Sequence, residues 1–307
     1  MEKADHDLVV IGGGPAGLTA GLYASRARLD TLLVEKIVPG GQVLITDWIE
    51  NYPGFSGVSG PDLIDKMVAQ AKQFDLKIES NEVLSMDFSG DIKKIKLYDR
   101  EISTRAIIIA SGASPRTLGV GEDQYTGRGL SFCATCDAPF FKDKTVVAVG
   151  GGDTAVQESI YLTKFVKKVY LVHRRNELRA TKILQERALQ NDKIEIVWDS
   201  VLTDIHGKDG VESVQIKNVK TGDVQTLKTD GCFIWVGILP NTSFIGDELA
   251  LDDSGFIITD GHMQTSVPGV FAAGDVRNTP LRQIATAVGD AAIAAMSAEH
   301  YIENVTQ

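Results

Sequence analysis

The sequence has few cysteines, no long apolar run and fewer basic than acidic residues, and each shortage argues against a class of protein. Its 3 cysteines are too few for the disulfide framework of a small secreted protein. Apolar stretches such as residues 232–239 are far shorter than the roughly 18 to 20 residues that span a bilayer, so we expect no transmembrane helix. The net charge of −10 argues against a nucleic-acid partner, because such proteins need a basic face.

The rest of the composition is typical of a globular enzyme. The 307 residues suffice for two ordinary domains, and 43% of them are hydrophobic and 23% charged. The N-terminal segment 1–7 is acidic and lacks the basic flank and apolar stretch of a signal peptide. We therefore expect a cytoplasmic protein without a membrane partner.

A dinucleotide-binding fingerprint lies at the N-terminus. A strand at 7–11 runs into Gly-x-Gly-x-x-Gly at 12–17, and a helix follows to about Arg28. A second strand at 31–35 ends in Glu35, 18 residues after the last glycine. The glycines permit a tight turn and close backbone approach, the helix N-terminus faces the pyrophosphate, and the carboxylate accepts ribose hydroxyls. The strands and helix around the motif predict a dinucleotide site rather than a tight turn alone.

The same pattern returns at residues 145–155, followed by a helix and an apolar strand. The interval from Gly12 to Glu35 is 23 residues, and so is the interval from Gly150 to His173. The two units therefore align without a gap.

The aligned units differ where the ribose should bind. The first has Glu35, whereas the second has the basic stretch 173–175, with Arg179 close enough to join it. A carboxylate suits a ribose 2′-hydroxyl and repels a 2′-phosphate, while paired guanidinium groups can hold that phosphate. The sequence thus predicts FAD in the first unit and NADPH in the second; a merely solvated basic strand end is the alternative.

The order of segments predicts an α/β fold with two Rossmann-like, three-layer (ββα) domains, one inserted in the other. After each fingerprint come short alternating strands with turn signals, which indicate a small antiparallel layer. The segment 269–276 and a helix from Arg282 to about His300 have no counterpart in the second unit, so we expect them to return to the first domain. The predicted domains are FAD-binding, residues 1–113 and 241–307, and NADPH-binding, residues 114–240.

The predicted NADPH domain also carries a C-x-x-C motif, Cys133 and Cys136. In a cytosolic protein this motif indicates redox chemistry or metal binding. A zinc site would need two further ligands, yet the sequence offers only Cys232 and 5 scattered histidines, so we expect no metal. A turn or helix start, where we expect the pair to lie, favours the thiolate form.

With these features in place, the sequence resembles the low-molecular-weight thioredoxin reductases of bacteria, archaea, plants and fungi, over essentially the whole chain. The resemblance implies FAD and NADPH as cofactors, thioredoxin or a thioredoxin-like small dithiol protein as partner, and a homodimer. The motifs that carry it are Gly12–Gly17, Gly40–Gln42, Glu50–Gly54, Cys133–Asp137, Gly150–Ala155, His173–Arg175 with Arg179, Ala273–Val276 and Arg282–Gln283.

The fingerprints and the resemblance together assign cofactor contacts. By the resemblance, the isoalloxazine and its approach are lined by Gly41, Gln42, Thr46 and Asn51, Asp275 binds the ribityl chain, and the pair 282–283 lies at the pyrimidine edge. A turn role for Asn51 and a flexible corner at 40–41 are the alternatives. The residues expected to contact FAD are Gly12, Gly14, Pro15, Ala16, Glu35, Gly41, Gln42, Thr46, Asn51, Gly112, Asp275, Arg282 and Gln283. Those expected to contact NADPH are Gly150, Gly152, Asp153, Thr154, His173, Arg174, Arg175 and Arg179.

The resemblance also assigns catalytic roles. Cys136 would face the flavin, Cys133 would attack the partner's disulfide, and Asp137 would exchange the proton. An N-cap role for Asp137 is an alternative that is compatible with catalysis. The residues after Asp137 are Ala-Pro-Phe-Phe, where the family more often has a glycine, so the docking surface for the partner is expected to differ in detail.

The predicted electron path crosses a domain boundary. One small disulfide cannot both pack against a flavin and lie open to a protein substrate, and the nicotinamide must reach the same flavin. We therefore hypothesise a rotation of the inserted domain about linkers near residues 114–116 and 239–241.

The sequence argues against three other functions. A flavin dithiol oxidase would not need the basic stretch 173–175, and the reductase module of an alkyl hydroperoxide system carries an extra N-terminal region. A redox sensor that binds both nucleotides without turnover would not need the cysteine pair together with Asp137. The sequence therefore favours an NADPH-dependent disulfide reductase.

Overall fold

The structure, a computed structural model, describes residues 4–46 and 48–306. The first three residues of the acidic N-terminal segment, and the last residue of the predicted FAD domain, lie outside this part of the chain. The chain divides into two compact units, unit 1 (residues 1–114 and 239–307) and unit 2 (residues 115–238).

Both units combine strands and helices. The strands are β1 (His6–Ile11), β2 (Thr31–Glu35), β3 (Lys77–Ser80), β4 (Val83–Asp87), β5 (Lys93–Leu97), β6 (Glu101–Ile109), β7 (Ala113–Pro115), β8 (Leu130–Ser131), β9 (Thr145–Gly150), β10 (Lys168–Val172), β11 (Ile194–Val197), β12 (Ser200–His206), β13 (Ser213–Asn218), β14 (Val224–Lys228), β15 (Gly231–Trp235), β16 (Ile238–Pro240) and β17 (Val270–Ala272). The helices are α1 (Pro15–Arg26), α2 (Gly60–Lys72), α3 (Ala134–Asp137), α4 (Asp153–Leu162), α5 (Lys182–Leu189) and α6 (Ile284–Thr306).

Unit 1 is built on a sheet in the order β3-β2-β1-β6-β5-β4, with β17 also paired to β6. The strands β3, β2, β1, β6 and β17 run parallel, whereas β4, β5 and the start of β6 form an antiparallel meander. Leu8 and Val10 of β1 pack with the helices, and the alternate residues Val9 and Ile11 pack with the meander. Because both faces are buried, the central strand is a continuous apolar run.

Unit 2 repeats this arrangement with a parallel sheet in the order β11-β10-β9-β15-β8. Val146 and Ala148 of β9 face the helices, and Val147 and Val149 face the antiparallel strands β12-β13-β14. These strands form a separate sheet here, because residues 229–230 interrupt the chain between β14 and β15 where β6 of unit 1 continues without a break. The predicted α/β class with two three-layer, Rossmann-like halves is confirmed.

Three helix boundaries, in two helices, differ from those expected. Helix α1 ends at Arg26, because Arg28 adopts the left-handed conformation with φ 67°. Helix α6 begins at Ile284, after a turn in which the Thr286 hydroxyl accepts the Gln283 N–H, and it continues to Thr306. Within residues 4–46 and 48–306, no helix is long and apolar enough to cross a membrane.

Candidate functional site

The first fingerprint loop in unit 1 requires glycine at the crossing of strand and helix. A Cβ at Gly17 would lie 1.7 Å from the Gly12 carbonyl oxygen, and a Cβ at Gly12 would lie 2.4 Å from the Ala110 oxygen. Gly12 also has φ 103°. By contrast, a Cβ at Gly14 would meet no atom within 4 Å, so the loop is open on the side where a phosphate would approach.

Glu35 holds this loop from the end of β2. Its carboxylate accepts the Gly13 N–H at 2.6 Å and the Ile37 N–H at 3.3 Å. The carboxylate therefore lies beside the loop, as a residue that accepts ribose hydroxyls must.

Two further segments of unit 1 reach the same loop. The corner at residues 39–41 packs on it, since the Gly40 N–H donates to the Gly13 oxygen at 2.8 Å and a Cβ at Gly41 would be 3.5 Å from the Gly14 Cα. On the helix side, a Cβ at Gly274 would lie 3.0 Å from that of Ala16. This contact brings Asp275, the next residue, to the N-terminus of α1.

The turn that carries Asp275 is fixed by an ion pair. Asp290 of α6 accepts the Gly274 N–H at 3.3 Å and the Arg277 Nη1 at 3.0 Å. Both side chains of this pair are largely buried. Burial raises the pKa of Asp275 to about 6, the neighbouring Arg282 opposes this rise, and Asp290 adds to it.

The predicted contacts at the flavin ring come from distant parts of the chain. Asn51 Nδ2 donates to Gln283 Oε1 at 2.9 Å, although the two residues are 232 positions apart. Arg282 lies over the Phe256 ring, 4.1 Å from its centroid. The Thr46 hydroxyl donates to the Gln42 carbonyl oxygen at 3.3 Å, which closes the turn after Gly41.

These residues of unit 1 would accommodate FAD. The buried Nε of Arg282 has no hydrogen-bond partner among the residues that the structure describes. Buried polar groups are normally paired, so this atom indicates a place for a polar ligand. A Cβ at Gly112, like one at Gly14, would meet no protein atom within 4 Å. The assignment of FAD to these residues remains a prediction.

In the second fingerprint loop, in unit 2, alanine replaces the third glycine of the motif, and the strand and helix again cross closely. A Cβ at Gly150 would lie 2.5 Å from that of Ala155 and 2.6 Å from the Trp235 oxygen. Beyond it, Asp153 begins α4 and its carboxylate accepts the Thr181 N–H at 2.6 Å. This bond ties the N-terminus of α4 to Thr181, the residue before α5.

His173 is buried beneath the second loop, at the position that Glu35 has in the first. Its Nδ1 lies 2.8 Å from the Gly150 oxygen and its Nε2 lies 3.0 Å from the Glu177 oxygen. Burial lowers the pKa of His173, and the nearby Arg179 and Arg174 lower it further. The imidazole therefore positions the loop from below.

The adjoining arginines surround an open cavity of about 380 Å³. The Arg179 N–H donates to the Gly151 oxygen at 2.7 Å, and Arg179 Nη2 comes within 4.0 Å of a Cβ placed at Gly152. The structure thus brings the basic stretch to the loop. The cavity is lined by Arg174, Arg175, Asn176, Glu177, Leu178, Arg179, Asp199, Val219 and Lys220.

The cysteine pair of unit 2 forms a disulfide at the start of α3. The Cα atoms of Cys133 and Cys136 are 5.4 Å apart, and Cys133 is the N-cap residue whose sulfur accepts the Cys136 N–H at 3.2 Å. The Ser131 hydroxyl donates to the Asp137 carboxylate and accepts the Cys133 N–H at 3.0 Å. Asp137 ends α3 and makes no side-chain capping bond to the turn that follows it.

Glu158, which the motifs did not predict, supports this turn. Its half-buried carboxylate on α4 lies near the backbone N–H groups of Ala134 and Thr135; burial raises the pKa of Glu158, and these N–H groups oppose the rise. The carboxylate is thus placed at the N-terminus of α3, where helical N–H groups have no partner within the helix. The only signal in the sequence is an acidic residue on the face of α4 that otherwise buries Ala155 and Val156.

The third cysteine is not placed for redox chemistry. Cys232 lies fully buried in β15, and burial raises the pKa of its thiol to about 12. Among the described residues, no group of three or more His, Cys, Asp or Glu side chains could hold a metal ion.

Comparisons with known proteins agree with one another. A profile of the pyridine nucleotide-disulphide oxidoreductase family matches residues 6–291. The thioredoxin reductase of Bacillus subtilis (strain 168) is 44% identical over 308 residues, covering 100% of this chain and 98% of that protein. The thioredoxin reductase of Listeria monocytogenes is 46% identical over 309 residues, covering 100% and 97%. The crystal structure of thioredoxin reductase from Streptococcus pyogenes MGAS5005 covers 97% of this chain and 98% of its own, at 50% identity and a TM-score of 0.93.

Replacement of Glu158 tests its support of the redox turn. Glu158→Ala removes the carboxylate beside the N–H groups of the buried Ala134 and the exposed Thr135, so we expect faster hydrogen exchange at these two residues and a loss of about 1–3 kcal/mol in unfolding free energy. Gln157→Ala, at the exposed neighbouring position of α4, is the matched control. Equal exchange in the two variants would contradict this role.

The buried Asp275 carboxyl gives a prediction about pH. Its pKa of about 6 in the folded protein exceeds the ordinary value of 3.8, so the folded state binds the proton more tightly than the unfolded state. Its contribution to stability is therefore greatest below about pH 4 and is lost as the pH rises through about 6. In ligand-free protein, Asp275→Asn should gain on the order of 1–3 kcal/mol over the native chain between those pH values, measured by urea unfolding. The control is Asp253→Asn, at an exposed position of the same unit; a pH-independent difference for Asp275→Asn would refute the assignment.

Proposed function

Because this chain belongs to the pyridine nucleotide-disulphide oxidoreductase family and, within it, to the thioredoxin reductases, we propose that it reduces the disulfide of thioredoxin or of a thioredoxin-like small dithiol protein with electrons from NADPH. The observation that supports this most is the presence of a C-x-x-C disulfide and an arginine-lined cavity beside a dinucleotide loop in the same unit. In the overall reaction, NADPH and one proton convert one disulfide to two thiols and leave NADP⁺.

The choice of NADPH depends on the cavity. The 2′-phosphate of NADPH carries up to two negative charges, and the guanidinium groups of Arg174, Arg175 and Arg179 could each donate charge-assisted hydrogen bonds to it. A flavin dithiol oxidase that uses oxygen would have no need of this cavity. The cavity therefore favours the reductase.

FAD is proposed for unit 1, on the residues around Gly14, Glu35 and Asp275. When bound, the flavin supplies two-electron transfer between a nicotinamide and a sulfur centre. The protein contributes the open loop for the pyrophosphate, the carboxylate for the ribose and the Asn51–Gln283 pair at the ring.

The cysteine turn is proposed as the acceptor and donor of the electrons. Reduction by two electrons breaks the Cys133–Cys136 bond. With one proton, the products are one thiol and one thiolate. Asp137 is proposed to exchange that proton, and Ser131, which bonds both Asp137 and the Cys133 N–H, would keep its carboxylate next to the turn. Cys133 is proposed as the sulfur that attacks the partner.

The proposal includes movement of unit 2 during turnover, because the disulfide has to meet both the flavin and a protein substrate. The segments β7 and β16 span the two points where the chain passes between the units. Gly112 and Gly237, with φ 70° and 123°, precede these segments and allow backbone conformations that other residues rarely adopt. The cytoplasmic location and the homodimer expected from the sequence stay predictions.

Cys133→Ser separates the two halves of the reaction. Under anaerobic conditions we expect NADPH to bleach the flavin of both native and variant protein, and oxidised thioredoxin to restore the colour of the native protein only. The variant should lose essentially all thioredoxin reduction, because it lacks the sulfur that forms the mixed disulfide. Absorbance near the flavin maximum measures both steps.

Cys232→Ala is the matched control, since it removes a cysteine that is buried away from this chemistry. It should reduce thioredoxin as the native protein does. Rapid bleaching by NADH but not by NADPH would refute the role of the arginines. Thioredoxin reduction by Cys133→Ser would refute the role of Cys133.

A further inference from the structure

The cavity beside the second loop is lined partly by residues outside the basic stretch 173–175. Residues Val219 and Lys220, in the hairpin that joins β13 to β14, line it together with the arginines at 174, 175 and 179. The hairpin belongs to the antiparallel layer, more than 40 residues along the chain from Arg175. It therefore reaches the nucleotide cavity only through the fold.

Asp199 joins the hairpin to the arginine segment. Its N–H donates to the Arg175 oxygen at 3.2 Å, and its carbonyl oxygen accepts the Val219 N–H at 2.6 Å. Its carboxylate accepts from Lys220 Nζ at 2.8 Å. The Asp199 side chain is only 17% exposed, whereas that of Lys220, which also lines the cavity, is 60% exposed. Asp199 is therefore the more buried partner and anchors the lysine.

The backbone of the hairpin is itself held in place. Asn218 Oδ1 accepts the N–H groups of Lys220 at 2.9 Å and Thr221 at 3.0 Å. The Gly222 N–H donates to the Asn218 oxygen at 2.9 Å. Lys220 thus starts from a fixed backbone position, and only its side chain needs to adjust to a ligand.

The charges around the cavity leave Lys220 able to bind an anion. An ammonium group has three donors, and the bond to Asp199 uses one of them. The other carboxylate at the cavity, that of Glu177, is paired with Lys182 at 3.0 Å. An incoming phosphate would therefore meet the three guanidinium groups and a lysine that keeps its anchor.

We propose that Lys220 is a fourth cation of the 2′-phosphate site, anchored by Asp199, and that it contributes to the selection of NADPH over NADH. This inference rests on the proposed function, because it takes NADPH as the ligand of the cavity. It assigns a specificity-determining role to a residue of the antiparallel layer.

The test compares two nucleotides that differ only in the 2′-phosphate, 2′,5′-ADP and 5′-AMP, by calorimetric titration of the holoenzyme. Lys220→Met keeps the aliphatic stem and removes the charge, so its affinity for 2′,5′-ADP should fall roughly tenfold while its affinity for 5′-AMP stays unchanged. Lys220→Arg should retain most of the preference, because it restores a cation that can bond both Asp199 and the phosphate.

Lys228→Met is the matched control. Lys228 is exposed at the other end of the same hairpin, opposite Ser213, so this change removes one charge from the same sheet without touching the cavity. It should bind both nucleotides as the native protein does. The ratio of the 2′,5′-ADP affinities of the two Lys→Met variants is therefore free of the effect of net charge.

The outcomes distinguish this inference from the function on which it rests. If Lys220→Met binds 2′,5′-ADP as tightly as Lys228→Met does, while Arg174→Ala loses the preference, Lys220 only fastens the hairpin and the inference is wrong. If the native protein itself shows no preference for 2′,5′-ADP over 5′-AMP, both the NADPH assignment and the inference fail. A selective loss in Lys220→Met, restored in Lys220→Arg, supports it.

Discussion

The close crossing of β1 with α1 in unit 1, and of β9 with α4 in unit 2, is the constraint on which the rest of the structure depends. In unit 1 a single added Cβ at Gly17 would approach the Gly12 oxygen to 1.7 Å, and in unit 2 one at Gly150 would approach Ala155 to 2.5 Å. Only backbone and the smallest side chains permit this approach, which turns the helix N-terminus toward a ligand phosphate. The residues expected to contact a dinucleotide lie around these two crossings.

The segment at the end of the second strand of each fingerprint carries opposite charge in the two units. In unit 1, Glu35 accepts a loop N–H and presents a carboxylate, whereas in unit 2 the buried His173 contacts a loop carbonyl oxygen and the arginines after it line the cavity. One scaffold therefore presents a carboxylate in one copy and a cluster of cations in the other. The redox turn uses unit 2 in a further way, since α4 begins at the nucleotide loop and carries the Glu158 carboxylate that supports Cys133–Cys136.

Local patterns made much of this predictable from the sequence. Glycine spacing, apolar strands and the C-x-x-C are readable because the physics that requires them acts within about 30 residues. The two fingerprints, the three-layer units and the return of the final strand and helix followed from such patterns. The Arg28 helix end and the full length of α6 did not, because they depend on a left-handed residue and on packing in unit 1.

The parts that the sequence could not predict are contacts between distant segments. Asn51 and Gln283 meet across 232 positions, and Asp199 joins Arg175 to Lys220 through the antiparallel layer. Glu158 has an ordinary place on a helix until α3 packs against it. Each of these depends on tertiary packing, and no spacing rule in the sequence encodes it.

We expect NADPH alone, through this one chain, to open the Cys133–Cys136 disulfide. The most direct measurement is a count of free thiols in denatured protein before and after anaerobic addition of NADPH to the holoenzyme. The oxidised chain holds the disulfide and the free Cys232, so the count should rise from one thiol to three of the 3 cysteines. A count that stays at one after NADPH has bleached the flavin would contradict the account.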